Sequence, residues 1–138
     1  IFNTIHACDY AEVSGSARTI QMLGRSMKAV ALQKNGVLTY RFDVEEEDDY
    51  VIRTALIPTQ PNDNGDLRFS VGIDGQEPTV YSLKEPFRSE RWKENVLNGQ
   101  AVRDTKAHLS KGIHTLTIRA LDNHIVFDLF FLLRGNNG

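Results

Sequence analysis

From Leu38 to Val44 the chain alternates: Leu38, Tyr40, Phe42 and Val44 are interleaved with Thr39, Arg41 and Asp43. A side-chain period of two belongs to an extended strand with one face in a core, and it argues against a helix over this stretch. Leu67, Phe69, Val71 and Ile73 repeat the pattern against Arg68, Ser70, Gly72 and Asp74. Asp74-Gly75 then supplies the positive backbone angles of a tight turn, so a hairpin into Thr79 to Leu83 is expected. One-faced strands need a second layer to cover them, which limits the possible folds more than any other feature here.

Further strands are expected at Asn3 to Tyr10, Met27 to Gln33, Tyr50 to Ile57, Trp92 to Leu97 and Ile113 to Ala120. Pro58 ends the Tyr50 run, and Gln60 to Asp66, with Pro61, Asn62 and Gly65, reads as an exposed loop. Ile125 to Leu133 is apolar on both faces except for Asp128, the pattern of a central strand covered on both sides. Ala101 to Leu109 is expected to hold a turn or two of helix, and Val13 to Ala17 to be loop. Short strands at 8 to 12 residue spacing give an all-β class, and the favoured architecture is an antiparallel jelly-roll β-sandwich of galactose-binding-like type. Residues 1–138 are read as a single domain. The acidic run Glu45, Glu46, Glu47, Asp48, Asp49 reads as a solvated turn, with a cation site as the sharper alternative.

Composition narrows the function classes. With 41% hydrophobic and 25% charged residues the chain is folded and globular. Sixteen Lys and Arg against eighteen Asp and Glu leave a formal charge of -2, so no basic field draws nucleic acid or anionic lipid. No apolar run approaches the roughly 18 residues of a membrane span. One cysteine, Cys8, closes no intrachain disulfide. The chain opens on Ile1 with no signal-peptide pattern and reads as a piece of a longer parent.

Three stretches carry a family resemblance. Arg91-Trp92-Lys93-Glu94-Asn95-Val96-Leu97, Gly112-Ile113-His114-Thr115-Leu116-Thr117-Ile118, and Leu121-Asp122 before Ile125-Val126 follow one another in order. With Leu23-Gly24-Arg25-Ser26, Leu56-Ile57-Pro58-Thr59-Gln60-Pro61 and the Leu67 to Gly75 strand and turn, this succession resembles the C-terminal domain of glycoside hydrolase family 115. The resemblance implies a large, exported parent, periplasmic or extracellular, that acts as a xylan α-glucuronidase. It implies that this piece is an accessory domain, whose partners are the parent's other domains and, beyond them, xylan or glucuronoxylan. The catalytic carboxylates would lie elsewhere in the parent. Similar carbohydrate-binding modules open with a Glu-Ala-Glu strand and hold a structural calcium. Here that strand reads His6-Ala7-Cys8, whose imidazole and thiol suit a hard cation poorly, although Asp128 matches an aspartate of the last strand.

The residues themselves assemble no reaction centre. Glycoside hydrolysis needs two carboxyl groups roughly 5 to 10 Å apart, and only Asp128 sits in a strongly apolar context, where a structural hydrogen-bonding role is expected. His6 and Cys8, two apart, would share a strand face, but two ligands are too few for zinc. Cys8 with His114 lacks the third group of a nucleophilic triad, and Gly24-Arg25-Ser26 lacks the rest of a phosphate loop. No cofactor and no metal are expected. Sugar binding requires an exposed aromatic face, for which Tyr10, Tyr50, Tyr81, Phe87 and Trp92 are the candidates. Tyr50 and Trp92 also fit core positions, whereas Tyr81 and Phe87 flank a polar loop and are expected to be freer. A uronate carboxylate would pair with Arg25, Arg88 or Arg91. The selected carbohydrate-binding set is Tyr81, Phe87, Trp92, Arg25 and Arg91, with no catalytic residue. The favoured reading is a non-catalytic accessory domain. An autonomous carbohydrate-binding module is the alternative, and a small stand-alone hydrolase ranks third.

Overall fold

Two antiparallel sheets face each other across one layer of apolar side chains. The structure is a computed structural model and describes residues 3–57, 67–83 and 101–134. Its strands are β1 (Asn3–His6), β2 (Glu12–Ser14), β3 (Ala17–Gln21), β4 (Lys28–Leu32), β5 (Val37–Val44), β6 (Asp48–Ile57), β7 (Arg68–Ile73), β8 (Thr79–Ser82), β9 (Ala101–Leu109), β10 (Gly112–Ala120) and β11 (Ile125–Arg134). One sheet runs β3-β4-β11-β6-β9, with β1 also paired to β11; the other runs β2-β5-β10-β7-β8. This is the all-β sandwich of jelly-roll type that the alternation predicts.

The inward set follows the sequence pattern closely. Leu38, Tyr40, Phe42 and Val44 of β5 face the core with Leu116, Ile118 and Ala120 of β10 and Phe69, Val71 and Ile73 of β7. The opposing sheet contributes Tyr50, Ile52 and Leu56 of β6, with Ile125, Phe127, Phe130 and Leu132 of β11. Aromatic rings form a chain through the layer. Tyr40 lies 4.8 Å from Phe130, Phe130 6.3 Å from Phe127, Phe127 5.4 Å edge-on from Phe69, and Phe69 5.6 Å from Tyr81. Such offset and edge contacts add about 0.5 to 1.5 kcal/mol per pair to area burial. The buried Tyr40 hydroxyl donates to the Ala7 carbonyl at 2.6 Å, so the core's most enclosed phenol also fixes the chain where it leaves β1.

Three local expectations are corrected. Ala101 to Leu109 is a full strand rather than a helical turn: Ala101, Thr105 and Leu109 are buried while Val102, Asp104, Lys106 and His108 are exposed, and the whole length pairs with β6. Its helix-forming Ala, Lys and Leu residues are overridden by that pairing. Val13 to Ala17 is no loop, because β2 pairs with β5 and β3 starts at Ala17; only Gly15, at φ 81°, and Ser16 turn. The first strand stops at His6, and Ala7 to Tyr10 crosses toward the other sheet. The Asp74-Gly75 turn forms as expected, with φ of 54° and 75° and Gln76 N–H donating to the Ile73 carbonyl. The Trp92 to Leu97 strand and the Gln60 to Asp66 loop lie outside the described residues.

Thr54 of β6 is wholly buried opposite Phe130, and among the described residues its hydroxyl has no hydrogen-bond partner. An unmet buried hydroxyl costs about 1 kcal/mol or more, so Thr54→Val is expected to stabilise the domain by about 1 kcal/mol. A thermal melt should show a rise of about 3 °C; a fall would mean that the hydroxyl is satisfied.

Candidate functional site

The polar centre of the β3/β4/β11 sheet is Asp128, 1% exposed. Along β11, Phe127 pairs with Leu56 and Leu129 with Ala55, so Asp128 is the extra residue of a bulge. The extra residue shifts the parity: Phe127 faces the core before it, Phe130 and Leu132 after it. The same position divides the opposite flank, where β4 pairs with Ile125 to Phe127 and β1 with Leu129 to Leu132. The Asp128 carbonyl accepts the Ala7 N–H at 2.9 Å. Its carboxylate accepts the Arg25 N–H at 2.9 Å, the Ser26 N–H at 3.0 Å and the Ser26 hydroxyl at 2.6 Å. Gly24, at φ 78°, lies so close that a Cβ there would sit 2.5 Å from the carboxylate.

A structural calcium does not fit these residues. N–H and O–H donors take three of the roughly four acceptor positions of the Asp128 carboxylate, which leaves a cation one at most. His6 is exposed, and Cys8 lies in the turn beyond the strand, so the two do not share a strand face. Among the described residues no group of three or more His, Cys, Asp or Glu side chains is placed to hold a metal ion.

On the open side of the sandwich, where β8 and β9 are the outer strands, polar side chains tie the sheets together. The Tyr81 hydroxyl bonds the Asp104 carbonyl at 2.9 Å and the Thr105 hydroxyl at 2.7 Å, and Arg103 donates to the Ser82 carbonyl at 2.9 Å. Tyr81 is therefore half-buried, a correction to the exposed aromatic expected from its polar neighbours. Beside this tie lies a groove of about 240 Å³, with Val71, Ile73 and Leu109 among its lining and Asp74, Glu77 and Thr79 beside them. Asp74 is already committed. Its carboxylate holds the His114 Nδ1 and, at 2.9 Å, the Thr115 N–H, while His114 Nε2 lies 2.7 Å from the Ser110 carbonyl. Acceptors at both nitrogens favour the imidazolium form of His114. Burial works against its charge, yet Asp74 and the Ser110 carbonyl outweigh this and raise its pKa. Burial likewise opposes the Asp74 carboxylate, but the His114 and Thr115 donors leave its pKa lowered.

Several pairs span residues too distant in sequence to announce themselves. Asp122, 1% exposed, accepts two bonds from the Arg68 guanidinium and one from the Arg68 N–H, and Arg68 holds the carboxyl below its ordinary range. The acidic run is not merely solvated. Glu47 and Asp49 flank His108 at 2.8 and 2.7 Å, with Glu47 the larger influence raising its pKa, and Glu46 and Asp48 contact Arg134 at 2.7 and 3.1 Å.

Of the expected sugar-binding set, Tyr81 lies on β8 at the open edge and Arg25 on the exposed β3–β4 loop, which belongs to the other sheet. Phe87, Trp92 and Arg91, with Arg88, fall outside the described residues. Tyr10 is half-buried against the core and Tyr50 fully buried, its hydroxyl donating to the Glu46 carbonyl at 2.6 Å.

A jelly-roll whose acidic side chains serve its own loops and strand pairs belongs to the class of carbohydrate-binding-module-like β-sandwiches. The family 35 carbohydrate-binding module from Clostridium thermocellum superposes with a TM-score of 0.73 at 13% identity, over 96% of this chain and 99% of that one. The C-terminal family 6 module of the laminarinase LamC from Zobellia galactanivorans gives 0.67 at 12%, over 96% and 100%. These likenesses establish the fold. The glycosyl hydrolase family 115 C-terminal domain matches residues 6–136, and the chain belongs to that family. It is 32% identical, with a TM-score of 0.86, to a segment of BtGH115A, a family GH115 4-O-methyl-α-glucuronidase with specificity for decorated arabinogalactans. The match covers 96% of this chain and 17% of that one, so the chain spans about a sixth of this relative's length. No curated protein matches it.

Asp128→Ala strands the Arg25 and Ser26 N–H groups and is expected to lower the unfolding free energy by about 2 to 4 kcal/mol in urea titrations. A chelator should leave the melting temperature of the unaltered domain within about 1 °C, since the Asp128 junction is closed by N–H and O–H donors rather than by an ion; a larger drop would show that a bound cation contributes to stability. The His114–Asp74 pair sets a pH window. The His114 contribution is complete below the ordinary imidazole value of 6.5 and is lost as pH rises through the raised pKa. The Asp74 contribution is complete above the ordinary 3.8 and is lost as pH falls through the lowered one. Urea unfolding at about pH 5.5 and about pH 9 should therefore show a stability loss at the higher pH that shrinks in His114→Gln. An unchanged loss in that variant would assign the dependence to other groups.

Proposed function

We propose that this domain packs against the other domains of a family 115 α-glucuronidase and positions them, without catalysing a reaction itself. The observation that carries this reading is the commitment of its buried carboxylates. Asp122 is gripped by Arg68 and Asp128 by the Arg25–Ser26 loop, so both are engaged in holding the fold together rather than facing each other across a cleft as glycoside hydrolysis needs. Residues 1–138 form one folding unit in this reading. The parent is exported, as an enzyme acting on plant polysaccharide must be.

The parent's substrate is a glucuronic acid or 4-O-methylglucuronic acid side chain, and xylan is the backbone the sequence resemblance favours. A second reading replaces xylan with decorated arabinogalactan, favoured by the 32% identity to BtGH115A. Any direct sugar contact falls to Phe87, Trp92 and Arg91, with Tyr81 and Arg25 as further members of the set. In an aromatic-plus-guanidinium site the ring would stack on the pyranose and the arginine would pair with the uronate.

Removing the domain from the parent should lower the melting temperature of what remains and its turnover, while the isolated domain releases no uronic acid from an aryl uronide. Calorimetric titration with glucuronoxylan and arabinogalactan oligosaccharides should give dissociation constants weaker than about 1 mM. Saturable micromolar binding, lost in Trp92→Ala with folding intact, would instead make the domain an autonomous carbohydrate-binding module. Turnover by the isolated domain would make it an enzyme.

A further inference from the structure

The loop between β3 and β4 combines features that its own fold does not require. Met22 and Met27 are 75% and 46% exposed, and Arg25 between them is exposed as well. Met22, Gly24 and Met27 all lie in the left-handed region, at φ 64°, 78° and 63°. For a long side chain that conformation is uncommon and strained, and it persists only where the surroundings impose it. Here they do. Met22 N–H donates to the Met27 carbonyl at 2.7 Å and Met27 N–H to the Gly24 carbonyl at 3.2 Å, while the buried Asp128 carboxylate grips Arg25 and Ser26 from beneath. Two adaptable thioethers and a guanidinium are thus presented on a fixed frame.

The loop lies over the outer side of the sheet, where Leu23 packs. Ala29, Ala31 and Val126 form a second buried cluster there, with Ile20, Leu23 and Ile57 packed on it. Ala17 packs on the main core and Ile20 on this outer cluster, so the alternation of β3 places Arg18 on the outer side too, and Arg18 is exposed. That cluster is itself buried, so the surface consists of exposed Met22 and Met27 and half-buried Ile20 and Leu23, with two cationic points, in a chain whose formal charge is -2.

We propose that residues 22–27, with Arg18 and Ile20, are the surface through which this domain docks on the other domains of its parent enzyme, against an apolar patch that carries carboxylates. The proposal rests on the positioning role above and names the face that performs it. The occupant follows from chain length: this domain matches 17% of the family relative's chain, so the parent's other domains are present at high effective concentration. Methionine suits an adaptable contact, and arginine is enriched where binding energy concentrates.

The chain has two methionines, and both lie in this loop, so methionine oxidation reports on the loop alone. Peroxide oxidation of Met22 and Met27, followed by peptide mass mapping, is to be compared between the isolated domain and the full-length enzyme. Burial in the contact should slow both at least about tenfold in the full-length enzyme. Arg25→Glu keeps the backbone N–H that Asp128 accepts, so it should leave the isolated domain's melting temperature unchanged and restore fast oxidation in the parent. Equal oxidation rates with unaltered Arg25 overturn the proposal, and protection that survives Arg25→Glu overturns the role of that arginine. Amide hydrogen exchange separates the two levels: slowed exchange on another face, with Met22 and Met27 unprotected, sinks this surface but keeps the positioning role. No slowing anywhere sinks both.

Discussion

One buried carboxylate makes the six-stranded sheet possible. Strand β11 must serve β4 along its first part and β1 along its second, and its core-facing parity must change between the two. The bulge at Asp128 makes that change, and the side chain of the bulged residue closes the loop that the change leaves beside it. Without the extra residue Leu129, Phe131 and Leu133 would face inward, and Phe130 and Leu132 would lose their places beside Tyr40 and Ile52. A charge wholly out of water is tolerable here because three donors converge on it.

The other polar groups follow the same economy. Tyr40 and Tyr50 are buried phenols whose hydroxyls each meet a backbone carbonyl, Ala7 and Glu46, so each anchors a segment leaving a strand. Tyr81 does similar work at the open edge, where its ring extends the aromatic chain and its hydroxyl reaches β9. Arg68 with Asp122 and His114 with Asp74 connect loops to strands of the five-stranded sheet. The described residues thus direct most of their chemistry inward, as a scaffold's would be.

Alternation made the sandwich legible, because a one-residue error of phase moves every side chain to the wrong face. Leu38 to Val44 and Leu67 to Ile73 announce their faces directly. Ala101 to Leu109 does not, since its inward residues are small and its outward ones are helix formers, and only the pairing with β6 decides. Asp128 was conspicuous as the lone charge in an apolar run, and its structural role followed from burial alone. Its partners did not: Arg25 and Ser26 lie 103 and 102 residues away and contribute mainly backbone N–H groups, which every residue carries. Tyr81 misled for a related reason. Polar neighbours along the chain suggested solvent, but its surroundings are set by β9, which sequence distance hides. For the acidic β5–β6 connection, the charges were plain while Arg134 and His108, far along the chain, gave no sign of their use.

The fastening at Asp128 has a consequence for the surroundings in which such a domain works. A junction closed by a divalent ion opens wherever a chelating polyanion competes for that ion. Amide hydrogens are not open to that competition, so this junction keeps its shape where a metal-clamped one would not.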